Sequence, residues 1–555
     1  MEDRVVSRGY QGTFQGVLSH PARRNPPTAS KLEVTMKMVN SLLLGSAAGL
    51  VAIAGAQAAD LPVKAKPVEY VKICSLYGEG FFYIPGTDTC IKIGGWVRAE
   101  YAFATGNSDF PYVSPSNGFN NRDNSSDYNT RARWVFSTDT RTQTEYGTLR
   151  SYFRAGFQMT TGESTQGKVY TERAFIQFAG FTLGKTQSYF DFGGGIFSYT
   201  GYVGGYSGTG AAGTNVFAYT AQFGNGFSAT LSVEDGTQRR GCLFDGTTNA
   251  PNGTLSLGSN CTSTNGTQTA QDSYNITAVN EGDYGAQQVP DIVANVRVDQ
   301  AWGSAQIGGA LHQIVAADYG NQLTYSGFNT GTAPGDAWGF AVNAGIILNV
   351  PWNAGDKFWV EGTYTEGAIG YLDFSAINGE QNNTLARFNG SNVAGAFALD
   401  GVFANTAATP LTGIQLTTAW GIAAAFEHYW TPALRTSLWA NYTGVTYDAT
   451  ATTIICTGAG PVTNANGVHL SAAQAAASGC SANFNLWAVG LRTIWNPVKN
   501  LDIGLETFYT KLDTEWGTGN FLSFAGSGGR PSGVYTPSSE GVWSGMVRVQ
   551  RNFWP

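Results

Sequence analysis

The sequence predicts an all-β fold: a 16-stranded antiparallel transmembrane β-barrel with long extracellular loops, short periplasmic turns and a third loop folded inward. Three observations predict it. Between residues 91 and 553, about sixteen segments alternate polar and apolar side chains, and the links joining them are long and short in turn. A closed up-and-down barrel needs that rhythm, because every second link lies on the same rim. Charged residues make up only 13 % of the chain, aromatic residues another 13 %, and there are 72 glycines. Soluble domains carry nearer a quarter charged residues. Mean hydropathy is close to neutral at −0.14, and the one long apolar run, 39–59, lies near the start. A helical membrane protein would need several such runs of about twenty residues. A barrel reaches the membrane without them, since its lumen face stays polar.

Residues 1–35 are polar and patternless and read as an extension from a start codon placed too early, with Met36 or Met38 the initiator. Residues 36–58 read as a signal peptide: Lys37 supplies the charge, Leu42 to Leu44 and Ala47 to Ala54 the apolar core, and Ala56-Gln57-Ala58 the cleavage site. The mature chain then begins near Ala59 or Asp60, and 59–90 forms its N-terminal segment with a cysteine loop. A retained membrane anchor is the alternative. It is disfavoured by the small residues of the run and the lack of a basic stop-transfer cluster after it.

The barrel proper is expected over 91–555. Its strands are predicted at 91–104, 129–141, 147–160, 169–180, 181–187, 214–224, 226–235 and 290–302. The remainder fall at 303–315, 336–350, 356–372, 415–430, 433–446, 483–496, 499–512 and 539–553. In 227–234, Phe227, Ala229, Leu231 and Val233 share one face, with Ser228, Thr230, Ser232 and Glu234 on the other. Trp302, Trp352, Trp430 and Trp495 each stand beside a short turn, as expected of an interfacial aromatic girdle. The intervening loops are rich in Gly, Asn, Ser and Thr, with no sustained helical period and no second domain. Six cysteines fall in three local pairs, Cys74 with Cys90, Cys242 with Cys261 and Cys456 with Cys480. No C-x-x-C occurs, so loop disulfides in an oxidising compartment are the reading, although six cysteines admit about fifteen pairings.

Arginines cluster in the first four strands: Arg98, Arg131, Arg133, Arg150, Arg154 and Arg173. Alternation places them in the lumen, for Val97, Ala99 and Tyr101 make the apolar face beside Arg98, and Leu149, Phe153 and Phe157 the face beside Arg150 and Arg154. An arginine facing lipid at the midplane would cost about 2–4 kcal/mol. A basic ladder on one wall of a pore sorts solutes by size and charge. The loop at 188–213 departs from the others: from Ser188 to Tyr206 it is aromatic and glycine-rich. Exposed loops rarely carry that much apolar surface, so it is expected to fold inward as the pore constriction, with Asp191 as its acid.

The stretch V-K-I-C-S-L-Y-G-E-G-F-F-Y-I-P-G-T-D-T-C-I-K-I-G-G-W-V-R at 71–98 resembles the N-terminus of the alphaproteobacterial (Rhizobiales-type) general outer-membrane porins. The run D-L-P-V-K-A from Asp60 and the run V-R-V-Q-R-N-F ending at Phe553 are similar to them too. The resemblance implies a homotrimer in the bacterial outer membrane, in contact with lipid and lipopolysaccharide. It also implies a water-filled channel through which small hydrophilic solutes and ions diffuse, without a cofactor. Two departures stand out. Trp554 and Pro555 follow the terminal Phe553, and Asp191 alone represents the acidic side of the eyelet, which argues against strong cation selectivity.

Rival readings are weaker. Gly208-Thr-Gly210-Ala-Ala-Gly213 matches G-x-G-x-x-G in form but follows no strand and opens no helix. His312, His428 and His469 are far apart in sequence, and no Ser–His pair stands out, so the chain reads as no enzyme. A net charge of −7 and no basic aromatic stripe argue against nucleic acid. Two non-enzymatic alternatives remain open: an adhesin or receptor anchored by a closed barrel, and a sugar-type channel with Tyr199, Tyr202 and Tyr206 as a stacking track. A plugged, gated receptor is not expected, as nothing before the first strand reads as a plug.

Overall fold

The computed structural model describes residues 72–103, 128–161, 167–193, 196–199, 205–210, 213–247, 284–285, 288–316, 319, 333–373, 384–405, 409–457, 461–524 and 533–553. The extension and the signal sequence, Tyr202, Cys261, Trp554 and Pro555 lie outside them. All described residues belong to the unit Val71–Pro555.

Sixteen strands close on themselves. They are β1 (Cys90–Phe103), β2 (Tyr128–Thr144), β3 (Gly147–Thr160), β4 (Lys168–Phe178), β5 (Phe181–Thr186), β6 (Thr214–Gly224), β7 (Phe227–Glu234) and β8 (Asp291–Gln300). The second half comprises β9 (Gly303–Val315), β10 (Asp336–Asn349), β11 (Lys357–Glu366), β12 (Thr418–Thr431), β13 (Leu434–Thr446), β14 (Phe484–Trp495), β15 (Leu501–Thr514) and β16 (Glu540–Asn552). Each pairs antiparallel with its neighbours in sequence. The ring closes where β16 meets β1, from Trp96 opposite Asn552 to Phe103 opposite Gly545. Closure leaves no unpaired edge, which a bilayer requires. A two-residue strand, Phe82–Tyr83, adds to the start of β1, and the Cys74–Cys90 disulfide staples that segment down.

Alternation decides what faces lipid. Along β1, Val97 and Tyr101 are exposed while Trp96, Glu100 and Ala102 are buried inward. Trp302, Trp352, Trp430 and Trp495 are exposed at the rim of short turns. Further ring pairs lie towards the other rim, where Tyr101 stacks on Tyr128 and Trp420 on Tyr442. Rings that are half apolar and half hydrogen-bonding settle at headgroup level.

The structure departs from the sequence reading in the long loops. The strand expected over 356–372 stops at Glu366, because Gly367 adopts φ +63° and turns the chain into a 3-10 helix, Ile369–Leu372, that is fully buried. The strand expected from 415 begins at Thr418, because Gln415–Leu416 pairs instead with a loop strand, Leu399–Phe403. That loop strand also runs parallel to Cys242–Asp245 from another loop. Further pieces, Thr384–Asn389, Asn392–Phe397, Val462–Thr463, Phe521–Phe524 and Gly533–Pro537, form a five-stranded sheet. Two short helices, Ala449–Cys456 and Ala472–Ser478, complete an ordered cap. Its core includes Leu385, Val393, Phe397, Leu399, Ile455 and Trp516. The near-continuous apolar run 393–404 is what drives this folding, since it cannot remain solvated.

The second helix carries a capping box between Ser471 and Gln474 and ends at Gly479 in the left-handed region. A disulfide, Cys456–Cys480, ties the end of one helix to the end of the other. Cys242 is also disulfide-bonded. Replacing Cys456 and Cys480 with Ser opens a crosslink of sequence separation 24, an expected loss of about 3 kcal/mol in cap stability. Limited proteolysis of the folded protein checks this, and cleavage within 447–482 no faster than in the parent would contradict it.

Candidate functional site

The loop joining β5 to β6 enters the barrel. Its described residues lie against lumen-facing side chains of β7 to β16, and wall groups hold its backbone. The Glu234 carboxylate accepts the Tyr189 N–H at 2.9 Å, Glu361 accepts the N–H groups of Gly193 at 3.1 Å and Ser207 at 3.4 Å, and Glu506 accepts that of Tyr199 at 2.6 Å. Side-chain amides serve its carbonyls: Asn295 donates to Tyr189, and Gln306 and Asn343 both donate to Phe190. The loop's rings fill the wall behind it, with Phe190 against Tyr371 and both Phe197 and Tyr206 against Trp359. Buried backbone groups need partners, and these strands supply them.

At its base the loop is knotted to the next one. Asp191 is buried, accepts the Ser207 and Thr209 hydroxyls and the Thr209 N–H, and pairs with Arg239 at 2.6 Å. Arg239 also donates to the Gly370 carbonyl and stacks on Tyr371. Burial works against its charge, and Asp191 beside it more than restores the guanidinium, holding it above its ordinary range. In the cap above, Asp400 accepts the N–H groups of Gly241 and Ile369 and the Tyr284 hydroxyl, and burial pushes its carboxyl up. Asp191, expected as the acid of an eyelet, is therefore buried in an ion pair with Arg239. The glycines at 208–213 belong to the same loop: Gly213 has φ +63°, and a Cβ there would meet the Thr186 carbonyl oxygen at 2.5 Å.

With the loop taking up the β7–β15 side, the remaining lumen borders β1–β4 and β16. Arg98, Arg131, Arg133, Arg150, Arg154 and Arg173 lie on the inward face of these strands, with Arg131 buried and Arg150 and Arg154 about a third exposed. Two further arginines, Arg141 and Arg548, join them. The register sets like charges opposite one another: Arg98 with Arg133, Arg141 with Arg150, and Arg154 with Arg173. Such pairs are destabilising on their own, and a carboxylate serves each. Glu100 binds Arg131 at 2.7 Å and Arg548 at 2.6 Å and lies 3.7 Å from Arg98. Asp139 bridges Arg141 and Arg150 at 2.8 and 2.9 Å, and Glu172 takes Arg154 at 2.6 Å. Arg173 reaches the loop itself, donating to the Gly210 carbonyl. Glu172 and Arg173 are consecutive yet both point inward, because Arg154 pairs with Arg173 and Ala155 with Thr171, leaving Glu172 as the extra residue of a β-bulge.

Aromatic rings lie under these guanidinium groups: Trp96 under Arg98, Tyr170 under Arg133, Tyr152 under Arg150, and the loop's own Tyr199 under Arg548 at 3.9 Å. The expected tyrosine track is not formed by the two described members. Tyr199 meets β16, while Tyr206 is buried on Trp359 of β11. The histidines stand apart: His312 pairs with Asp291 in the wall, and His428 with Asp356 at a turn.

Alternation applied to acids as well as arginines points to Glu100, Asp139, Glu361 and Glu506, which the sequence reading left out. Arg548 follows from the same parity in β16. The bulge, and with it Glu172, carries no comparable sequence signal.

A family model described as a porin subfamily matches residues 60–546. Porin Omp2b of Brucella suis biovar 1 (strain 1330) is 36 % identical over 227 residues, which is 38 % of this chain and 58 % of that protein. Porin Omp2b of Brucella melitensis biotype 1 matches to the same extent; the chain thus spans a little under three fifths of the length of these relatives. Among solved structures, the outer membrane channel DcaP of Acinetobacter baumannii superposes with a TM-score of 0.50 at 14 % identity, covering 85 % of this chain and 99 % of that one. That likeness concerns the fold alone. With the family match spanning the barrel from its approach to β16, the chain belongs to the porin subfamily and is a protein of the bacterial outer membrane.

Proposed function

We propose that the protein is a homotrimeric diffusion channel for small hydrophilic solutes, and that it favours anions. One observation carries the reading: the inward loop lies on the β7–β15 wall and leaves the arginine wall of β1–β4 and β16 bordering the remaining lumen. On that wall eight arginines, Arg98, Arg131, Arg133, Arg141, Arg150, Arg154, Arg173 and Arg548, stand against the acids Glu100, Asp139 and Glu172. On the opposite wall Glu234, Glu361 and Glu506 are buried beneath the loop and hydrogen-bonded to it, and Glu427 is paired with Arg492. The arginine wall therefore carries a surplus of positive charge, and water-filled pores lined by one sign of charge select the opposite sign.

Planar-bilayer recording tests this. Ohmic conductance in triplet steps is expected, with a reversal potential in a salt gradient displaced towards chloride. Replacing Arg150 and Arg154 with Ala is expected to move that potential towards cations. An unchanged potential would remove these two arginines from the selectivity assignment, and near-zero conductance in the parent would favour an anchor for surface loops over a channel.

A further inference from the structure

The described chain before β1 lies at the periplasmic mouth. Along β1, Cys90 and Lys92 share the inward parity of Trp96 and Glu100, while Ile93 shares the exposed face of Val97. The Cys74–Cys90 disulfide thus leaves the strand on its lumen side and holds the preceding residues against that side. Backbone bonds fold this piece on itself: the Cys74 N–H donates to the Phe81 carbonyl and the Tyr83 N–H to that of Lys72, both at 2.9 Å. Between these rungs the chain turns through the 3-10 helix Ser75–Tyr77, with Gly78 and Gly80 at φ +95° and +83°, a region that favours glycine. Cys74, Phe81 and Cys90 form its small core, and Tyr77 and Tyr83 pack on it.

Two cations of the inward face meet this turn. The Phe81 and Tyr77 rings lie 4.9 and 5.6 Å from the Arg141 guanidinium, and Lys92 donates through Nζ to the Glu79 carbonyl at 3.0 Å. Arg141 and Lys92 belong to adjacent strands, so the turn covers the inward face of β2 and β1 together. Arg141 stands near the end of β2, where a short turn leads to β3, and this marks the periplasmic rim. It binds Asp139 through two hydrogen bonds at 3.1 and 2.8 Å, and Asp139 in turn holds Arg150. The covered cations are thus the last of the arginine wall. The turn also brings carboxylates to this rim: between 72 and 89 the charged side chains are Lys72, Glu79 and Asp88, all exposed, two acids against one base.

A pore conducts an ion only when attraction strong enough to admit it is weak enough to let it leave. A wall equally positive along its whole length would hold anions at the exit. Aromatic faces over a guanidinium offset part of its charge, and a carboxylate beside it offsets more. We propose that the stapled segment 72–90 is a further specificity-determining element of the channel: it narrows the periplasmic exit and weakens the positive charge there, so that anions drawn along the arginine wall are released. The inference rests on the anion-favouring reading above. Phe81 and Tyr77 act by covering Arg141, and the disulfide keeps them in place.

Planar-bilayer recording of the full chain in a potassium chloride gradient, run in both directions, tests this. Charge at one rim acts mainly when that rim faces the dilute side, because screening extends about 30 Å at 0.01 M and about 3 Å at 1 M. Cys74→Ser/Cys90→Ser frees the segment. Its conductance is expected to rise, and its reversal potential to move further towards chloride in one gradient direction and hardly at all in the other. Glu79→Gln/Asp88→Asn keeps the staple and the rings, and it is expected to give the same one-sided shift with conductance unchanged. If the cysteine variant fails to insert, Phe81→Leu removes the ring from Arg141 while keeping an apolar core, with the same one-sided shift expected. Phe81→Tyr retains a ring and should restore the parent values. Reversal potentials equal to the parent in these variants, or shifts equal in both directions, overturn the proposal. A parent that prefers cations sinks the reading beneath it, while the difference between variant and parent still reports the screen at the exit.

Discussion

Asp191→Ala is expected to destabilise the junction between the inward loop and the loop after β7 by about 3–5 kcal/mol, the cost of stranding a buried charge. The Asp191 and Arg239 side chains are 0 % and 2 % exposed. Without the carboxylate, Arg239 keeps only neutral acceptors, the Ser207 hydroxyl and the Gly370 carbonyl, while the Ser207 and Thr209 donors lose theirs. The barrel has its own ladder and should still resist detergent and migrate as a folded species. The loss belongs to the loops. Hydrogen exchange at 188–193, 205–210 and 236–245 should accelerate, and the open-channel current should become noisy. The double variant Asp191→Ala/Arg239→Met should recover part of the loss, since no charge is then left buried. Exchange rates equal to the parent in the single variant would show that the pair does not hold the junction.

Glu361→Ala is the second large effect. This carboxylate accepts backbone N–H groups from both limbs of the loop, Gly193 and Ser207, and so clamps the loop to β11. Removing it leaves two buried donors unpaired, at about 1–3 kcal/mol each. A Cβ at Gly193 would meet the Trp359 indole nitrogen at 2.1 Å, which shows how closely the loop is drawn to this strand. Expected is a larger and more variable conductance, with deletion of residues 193–206 giving the upper limit. A conductance equal to the parent in both variants would mean that the loop does not narrow the pore.

The barrel was legible because it depends on local pattern. Every predicted strand exists, and those at 147–160, 214–224 and 303–315 have the observed bounds. Period-two alternation and turn chemistry are properties of neighbouring residues, and a membrane enforces them by penalising any departure. The cap was not legible. Leu399–Phe403 and Gln415–Leu416 read as loop or barrel strand until they are seen to pair with each other, and the first of them with Cys242–Asp245. The pairing with Cys242–Asp245 joins segments more than a hundred residues apart, and nothing local announces it.

The sequence alone therefore determined the class of molecule, the count and direction of its strands, the face each side chain takes, and the loop at 188–213 that differs from the rest. Tertiary structure decided how charge is distributed around the lumen. Which acids neutralise which arginines depends on cross-strand register, on one bulge at Glu172 and on the course of the loop across the barrel. Asp191 shows the difference most sharply: chemically it is the acid of the loop, but the fold buries it against Arg239. Alternation assigns a side chain to the lumen; only packing decides whether solvent or another charge meets it there.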